Sequence, residues 1–187
     1  MKVEIEIKLR LPDQLAQMRR MLRESGFRIE KRRVFESNIL LDNRKRTLRK
    51  HGKLLRVRSI DRYGLLTFKG PSEQGRYKKR WEIETHLNDS AAVEAILAHI
   101  GYHPVFRYEK FRTEYRARSG GGKALLDETP IGNFLELEGS PGWIDRTARR
   151  LGFSTSDYIC RSYGYLYLAY CRERRIQPRN MTFKRRP

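Results

Sequence analysis

The chain opens on a strict alternation. Val3, Ile5, Ile7 and Leu9 take one parity and Glu4, Glu6, Lys8 and Arg10 the other, which is the two-residue period of a strand. Pro12 ends that pattern, and from Gln14 to Glu24 the apolar residues Leu15, Met18 and Leu22 recur at helical spacing. Asp13 is the expected N-cap and Gly26 the stop. Phe27–Asp42 reads as extended and leads into a basic turn or loop, Asn43-Arg44-Lys45-Arg46. Leu54–Ile60 and Leu65–Lys69 read as strands joined in a hairpin around Tyr63-Gly64, and another strand runs from about Lys78 to Leu87. Asn88-Asp89-Ser90 can cap a helix over Ala91–Ile100, closed by Gly101. Val105–Arg116, Ala124–Glu128 and Phe134–Glu138 are the remaining expected strands. Gly120-Gly121-Gly122 is expected as a turn, and Trp143–Leu151 and Asp157–Cys171 as helices.

This pattern predicts an α+β fold of about eight strands, mostly paired antiparallel, with helices between and after them. No repeat or linker divides the chain, so residues 1–171 read as one domain. Residues 172–187 form a basic tail, expected to be extended or mobile.

The polar parity of the strands carries unusual charge: Glu4/Glu6/Lys8, Arg56/Arg58, Arg80/Glu82/Glu84, Lys110/Arg112 and Glu136/Glu138, with Lys69 and Asp127 on the remaining two. One account makes these the solvated outer faces of an antiparallel sheet. The helices, however, also have apolar faces to cover. A closed eight-stranded barrel with a polar lumen and helices packed on its apolar exterior meets both demands and leaves no edge strand.

Composition sharpens the chemistry. The 187 residues include 41 Lys and Arg against 22 Asp and Glu, a formal charge of +19 and a pI near 10.4, and 39% apolar residues are enough for a sizeable core. No apolar run approaches the ~18 residues of a membrane span, and Met1-Lys2-Val3-Glu4 lacks the plan of a signal peptide, so a cytoplasmic protein with no membrane partner is expected. Cys160 and Cys171 lack CxxC spacing and would lie ~16 Å apart on one helix at ~1.5 Å per residue, so neither a disulfide nor a thiolate metal site is expected. The positive charge suggests a polyanion. The expected lumen nevertheless holds seven positive and seven negative groups, and a groove for nucleic acid has no need of carboxylates that repel its backbone. Carboxylates mixed with Arg and Lys suit a divalent cation bound together with a polyphosphate.

Glu4-Ile5-Glu6-Ile7-Lys8 matches the ExExK signature of the CYTH family, the triphosphate tunnel metalloenzymes named for class IV adenylyl cyclases and thiamine triphosphatases. Further elements follow in that family's order: Leu55-Arg56-Val57-Arg58, Leu66-Thr67-Phe68-Lys69-Gly70-Pro71, Arg80-Trp81-Glu82-Ile83-Glu84, Lys110-Phe111-Arg112, Leu126-Asp127 and Gly132–Glu138. Ser162-Tyr163 resembles the family's C-terminal helix. Where many members carry a QxDxYFD-like strand, this chain has Glu36-Ser37-Asn38-Ile39-Leu40-Leu41-Asp42.

The resemblance implies an eight-stranded antiparallel tunnel in which Glu4, Glu6, Asp127, Glu136 and Glu138 bind Mg²⁺ or Mn²⁺. It implies that Lys8, Arg56, Arg58, Lys69, Arg80, Lys110 and Arg112 hold phosphates and serve catalysis. Glu82 and Glu84 either take a second metal or orient these cations. The ordinary alternative for all the carboxylates is salt bridging inside the lumen. Tyr115 is either part of the tunnel wall or a packing aromatic. His51, His86, His99 and His103 share no ligand spacing and read as surface residues, and Gly120–Gly122 lacks the helix start of a phosphate loop.

The expected activity is hydrolysis of a triphosphate by a metal-activated water, with inorganic triphosphate, a nucleoside triphosphate or thiamine triphosphate as substrate. The alternatives are a class IV adenylyl cyclase and a non-catalytic polyphosphate- or RNA-binding module. The partner implied is therefore a small molecule bearing a triphosphate, with nucleic acid not required. The basic surplus lies elsewhere, in Arg19–Arg33, Arg44–Lys53 and Arg172–Pro187, where it could steer substrate, bind another polyanion or simply aid solubility.

Overall fold

The computed structural model describes residues 2–12, 15–61, 63–73 and 75–184. Its eight strands are β1 (Lys2–Leu11), β2 (Phe27–Asp42), β3 (Leu54–Ile60), β4 (Tyr63–Lys69), β5 (Lys78–Leu87), β6 (His103–Ala117), β7 (Gly122–Thr129) and β8 (Gly132–Gly139). They close into an antiparallel barrel in the order β1-β5-β4-β3-β2-β6-β7-β8, with β8 pairing back onto β1. The helices are α1 (Leu15–Glu24), α2 (Thr47–Lys50), α3 (Ser90–His99), α4 (Pro141–Arg150) and α5 (Tyr163–Glu173).

The alternation decides which side of the wall each residue serves. Ile7, Leu9 and Leu11 on β1, Ala124 and Leu126 on β7, and Leu135 and Leu137 on β8 all point outward. There they meet Met18 and Leu22 of α1 and Trp143, Ile144 and Ala148 of α4 in one buried cluster. Tyr115, 2% exposed, belongs to this outer cluster and is a packing residue rather than tunnel wall. A second outer cluster joins Ile39, Leu41, Val57 and Leu87 to Val93 and Leu97 of α3. Most apolar burial therefore lies outside the barrel, and the middle of the lumen is left mainly to the charged parity.

Local signals place most helix ends. Gly26 ends α1 at φ 80°, and Asp89 caps α3 by accepting from the Ala92 N–H at 2.9 Å. The proposed Asp13 cap lies outside the described residues. Two elements differ from expectation. Asn43–Arg46 forms the expected turn, its Arg46 N–H donating to the Asn43 carbonyl at 2.9 Å, but it leads into an unexpected single helical turn, α2, which Asp42 organises by accepting from the N–H groups of Leu48 and Arg49, both at 3.0 Å. The helix expected from Asp157 starts at Tyr163 instead, with Ser162 accepting from the Tyr165 N–H. Ile159 is drawn off to pair with Lys8 of β1 through two 2.9 Å backbone bonds.

α5 closes one end of the barrel. Tyr163 packs with Tyr108, Phe134 and Leu40, whose side chains come from the interior of β6, β8 and β2. Beyond α5 the chain runs extended along β6 where β7 no longer pairs with it. The Met181 N–H donates to the Arg107 carbonyl and its carbonyl accepts from the Glu109 N–H, while the 1% exposed Met181 side chain joins the core around Tyr163. The expected tail is thus tethered over its described part. Cys160 and Cys171 are both free, and no helix of the described residues is long and apolar enough to cross a membrane.

Candidate active site

The inward parity of all eight strands surrounds a cavity of about 220 Å³. Eleven Lys and Arg residues and seven Glu residues line it. Ser162, Tyr163 and Gly164 of α5 line the closed end. At the opposite end, Lys2, Lys31 and Lys123 mark the mouth, with Lys2 and Lys31 exposed.

Strand register sets the carboxylates against one another. Glu6 lies directly opposite Glu138 across the β1–β8 seam, and Glu4 is two residues further along β1. Like charges placed this way repel, which a sheet built only for stability avoids. One carboxylate oxygen from each of Glu4, Glu6 and Glu138 lies within 4.8 Å of the other two. Glu4 meets Lys69 at 2.5 Å and Glu6 meets Lys78 at 2.5 Å, but Glu138 has no ion-pair or hydrogen-bond partner among the described residues. Burial, reinforced by the charges of Glu4 and Glu6, pushes the Glu138 carboxyl up to about 7. Glu6 is also buried, yet Lys78 and Lys8 outweigh that desolvation and hold it well below the usual carboxylate range.

The other expected metal ligands have cationic partners. Asp127 accepts from Arg112 Nε and Nη2, both at 2.6 Å, from Lys110 at 2.9 Å and from the Tyr163 hydroxyl at 2.7 Å. Glu136 meets Lys8 at 3.0 Å and Arg112 at 2.5 Å. Burial opposes ionisation of Glu136, but Lys8 and Arg112 prevail and lower its pKa well below normal. Glu82 pairs with Lys69 at 2.9 Å, and Glu84 accepts from Thr67 at 2.8 Å, with Arg56 at 3.7 Å.

The expected phosphate-holding cations ring the same space. Arg56 donates to Tyr108 at 3.3 Å and Thr67 at 3.1 Å, and Arg58 donates to Asn38 at 3.0 Å. The Nε atoms of Arg56 and Arg80 are buried without a hydrogen-bond partner among the described residues, although Arg80 Nε lies 3.8 Å from Glu4, so each keeps a donor unspent in a hydrogen bond. Lys69, Lys110 and Arg112 complete the ring, each buried. All fourteen residues singled out from the sequence therefore reach the barrel interior. The four histidines are exposed and take no part.

Several interior residues carried no assigned role. Lys78 shares the parity of Arg80, Glu82 and Glu84 but lies at the first position of β5, where the alternation has only one side. Burial drops its ammonium to about 8 against the pull of Glu6. Glu36, 1% exposed, meets Arg58 at 3.4 Å and Lys110 at 3.5 Å. Glu36 and Asn38 alternate with outward Ile39 and Leu41, a signal in plain sight within the atypical strand. Tyr108 precedes Lys110 and Arg112 on the same parity, and Tyr163 places its ring 5.3 Å from the Lys8 ammonium.

Comparison with known proteins bears on this arrangement. The CYTH domain model matches residues 2–163. The chain belongs to the CYTH domain family. A candidate adenylate cyclase of Methanocaldococcus jannaschii is 30% identical over 139 residues, 74% of this chain and 77% of that protein. Among solved structures, a candidate adenylate cyclase from Vibrio parahaemolyticus superimposes with a TM-score of 0.77 at 22% identity, covering 88% of this chain and 97% of that one. A candidate adenylyl cyclase from Hippeastrum, described as having a dominant triphosphatase activity, gives a TM-score of 0.67 at 18% identity over 89% and 95% of the two chains. These two likenesses show that the CYTH tunnel is a shared fold.

Proposed function

We propose that this CYTH protein is a divalent-metal-dependent hydrolase of a triphosphate-bearing small molecule. The observation that carries the reading is the trio of Glu4, Glu6 and Glu138, with Glu138 lacking an ion-pair partner among the described residues, facing a ring of buried Arg and Lys. Three converging carboxylates are the hard oxygen donors that Mg²⁺ or Mn²⁺ prefers, so the residues fit such an ion. Bound there, the ion would supply charge neutralisation and Lewis-acid polarisation of a phosphoryl oxygen.

The chain's own residues would do the rest. Arg56, Arg58, Lys69, Arg80, Lys110 and Arg112, with Lys8, hold phosphate oxygens from several sides and fix the chain of phosphates along the tunnel. Phosphoryl transfer depends mostly on such positioning and charge stabilisation. Because these cations are buried, their attraction for a developing negative charge is stronger than it would be in water. Asp127, Glu136 and Glu36 hold Arg112, Lys110, Lys8 and Arg58 in place, so the ring is preorganised before substrate arrives. Closure by α5 limits water at the inner end.

The described residues lining the cavity include no Asn or Gln, the amides that match the adjacent donor and acceptor of an adenine edge. This supports recognition of the phosphates themselves, and the activity described for the Hippeastrum protein agrees with hydrolysis. The test is to incubate the protein with inorganic triphosphate, ATP or thiamine triphosphate plus Mg²⁺ or Mn²⁺ and separate the products. Phosphate release is expected. Cyclic AMP and pyrophosphate as the main products from ATP would establish the cyclase instead, and no turnover of any substrate would favour a binding module.

A further inference from the structure

The tunnel does not use the basic surplus, and the surface treats that surplus unevenly. Around α1 and the first half of β2, many cations have carboxylate partners: Arg19 and Arg33 share Glu128, Lys31 meets Glu114, and Arg116 meets Glu30. The closed end of the barrel is different. The six Lys and Arg residues between Arg44 and Lys53 are all exposed, and none has a carboxylate partner among the described residues. The adjacent acid, Asp42, is buried and committed to the backbone N–H groups of Asn43, Leu48 and Arg49. The five arginines from Arg161 to Arg179 are likewise exposed, with no carboxylate partner among the described residues and Glu173 the sole acid in that span.

The two groups belong to one end of the molecule. The first bridges the end of β2 and the start of β3, and α5 packs on Leu40, near the end of β2, and on Phe134, near the start of β8. This is the end opposite the mouth at Lys2 and Lys31. Its aromatic groups are paired with guanidiniums: Arg161 lies 4.8 Å from the ring centre of Tyr165, and Arg174 lies 4.7 Å from that of Tyr170. Tyr165 keeps 52% of its surface exposed.

We propose that the closed end is a docking surface for single-stranded nucleic acid. Its eleven exposed cations, eight of them Arg and none with a carboxylate partner among the described residues, match a phosphate backbone, and planar guanidiniums beside exposed tyrosine offer bases a stacking platform. A strand held here does not enter the tunnel. An acidic membrane is the weaker fit, because apolar residues of α5 are spread around the helix instead of forming the one sharply apolar face of a membrane-surface helix. The proposal goes beyond the hydrolase reading and does not depend on it.

The test is fluorescence anisotropy of a labelled 20-nucleotide uridylate RNA titrated with the full chain, repeated across KCl concentrations. Binding at about micromolar Kd in low salt is expected, with affinity falling steeply as salt rises. The triple variant Arg44→Ala/Arg49→Ala/Lys50→Ala should bind at least tenfold more weakly and lower the log K against log salt slope by about 2, at roughly 0.7 per phosphate contact. Tyr165→Ala should weaken binding by about tenfold with its salt slope unchanged. Both variants should turn over triphosphate and melt as the wild type does. The proposal is overturned if the wild type does not bind the RNA at 50 mM KCl, if the triple variant binds it equally well, or if vesicles containing phosphatidylserine bind the chain while the RNA does not.

Discussion

In metal-free buffer, replacing Glu138 by Gln should make the protein more stable at pH 8 and leave it nearly unchanged at pH 5. The reason is the placement of Glu138 opposite Glu6 and beside Glu4, partly buried and with no ion-pair partner among the described residues, so that desolvation and its neighbours' charges outweigh Arg112 and raise its carboxyl from 4.5 to about 7. A raised folded-state pKa means that the native chain binds this proton more tightly than the unfolded chain does. The favourable contribution is complete below about 4.5 and is lost as pH rises through 7. A shift of roughly 2.5 units corresponds to a penalty on the order of 3 kcal/mol above pH 7. Gln is neutral throughout and escapes it. At about 2–4 °C per kcal/mol for a chain of this size, the variant should melt about 6–12 °C above the wild type at pH 8 in EDTA. The assay is thermal unfolding followed by circular dichroism at pH 5 and pH 8, with and without Mg²⁺. Added Mg²⁺ should raise the wild-type midpoint at pH 8 and leave the variant almost unmoved. A variant that melts below the wild type at pH 8 in EDTA would refute the reasoning, because Glu138 would then be a stabilising partner.

Three further outcomes follow from the same geometry. Asp127→Asn removes the charge that Arg112 and Lys110 both hold at the centre of the wall, so it should cost about 3–5 kcal/mol, measured by urea unfolding. Tyr163→Phe loses only the hydroxyl bond to that carboxylate and should cost about 1–2 kcal/mol while keeping most of the turnover. Met181→Ala should lower stability by about 2–5 kcal/mol and increase hydrogen exchange at Glu109, because the segment covering the free edge of β6 would lose its buried anchor.

The barrel was legible in the sequence where a two-residue period met apolar demand on both sides of the wall. Ile5, Ile7 and Leu9 needed cover, while Glu4, Glu6 and Lys8 needed polar company, and a tunnel with external helices supplies both. The site was legible for the same reason, since residues sharing a strand parity share a compartment. Legibility failed where local pattern was overruled from a distance. Ile159 has no local reason to leave a helix, and only its pairing with Lys8 delays the start of α5. The single turn α2 depends on one carboxylate, Asp42, five residues upstream of its first helical residue. Lys78 and Tyr108 escaped notice because a parity is hardest to assign at a strand end or beside an aromatic residue that packs equally well on either face. Which carboxylates would lack a cation could not be read from spacing, because that depends on register across β8, β1 and β5.

The most direct measurement is the steady-state rate of inorganic triphosphate hydrolysis as a function of Mg²⁺, for the wild type and for Glu4→Gln. Glu4 is one of two carboxylates that hold Lys69, the other being Glu82, so the variant retains the cations that hold phosphate. The account predicts saturable Mg²⁺ dependence in the wild type, no turnover in EDTA, and at least a hundredfold lower kcat in a variant that still folds. Turnover that persists in EDTA, or a Glu4→Gln variant as active as the wild type, would contradict it.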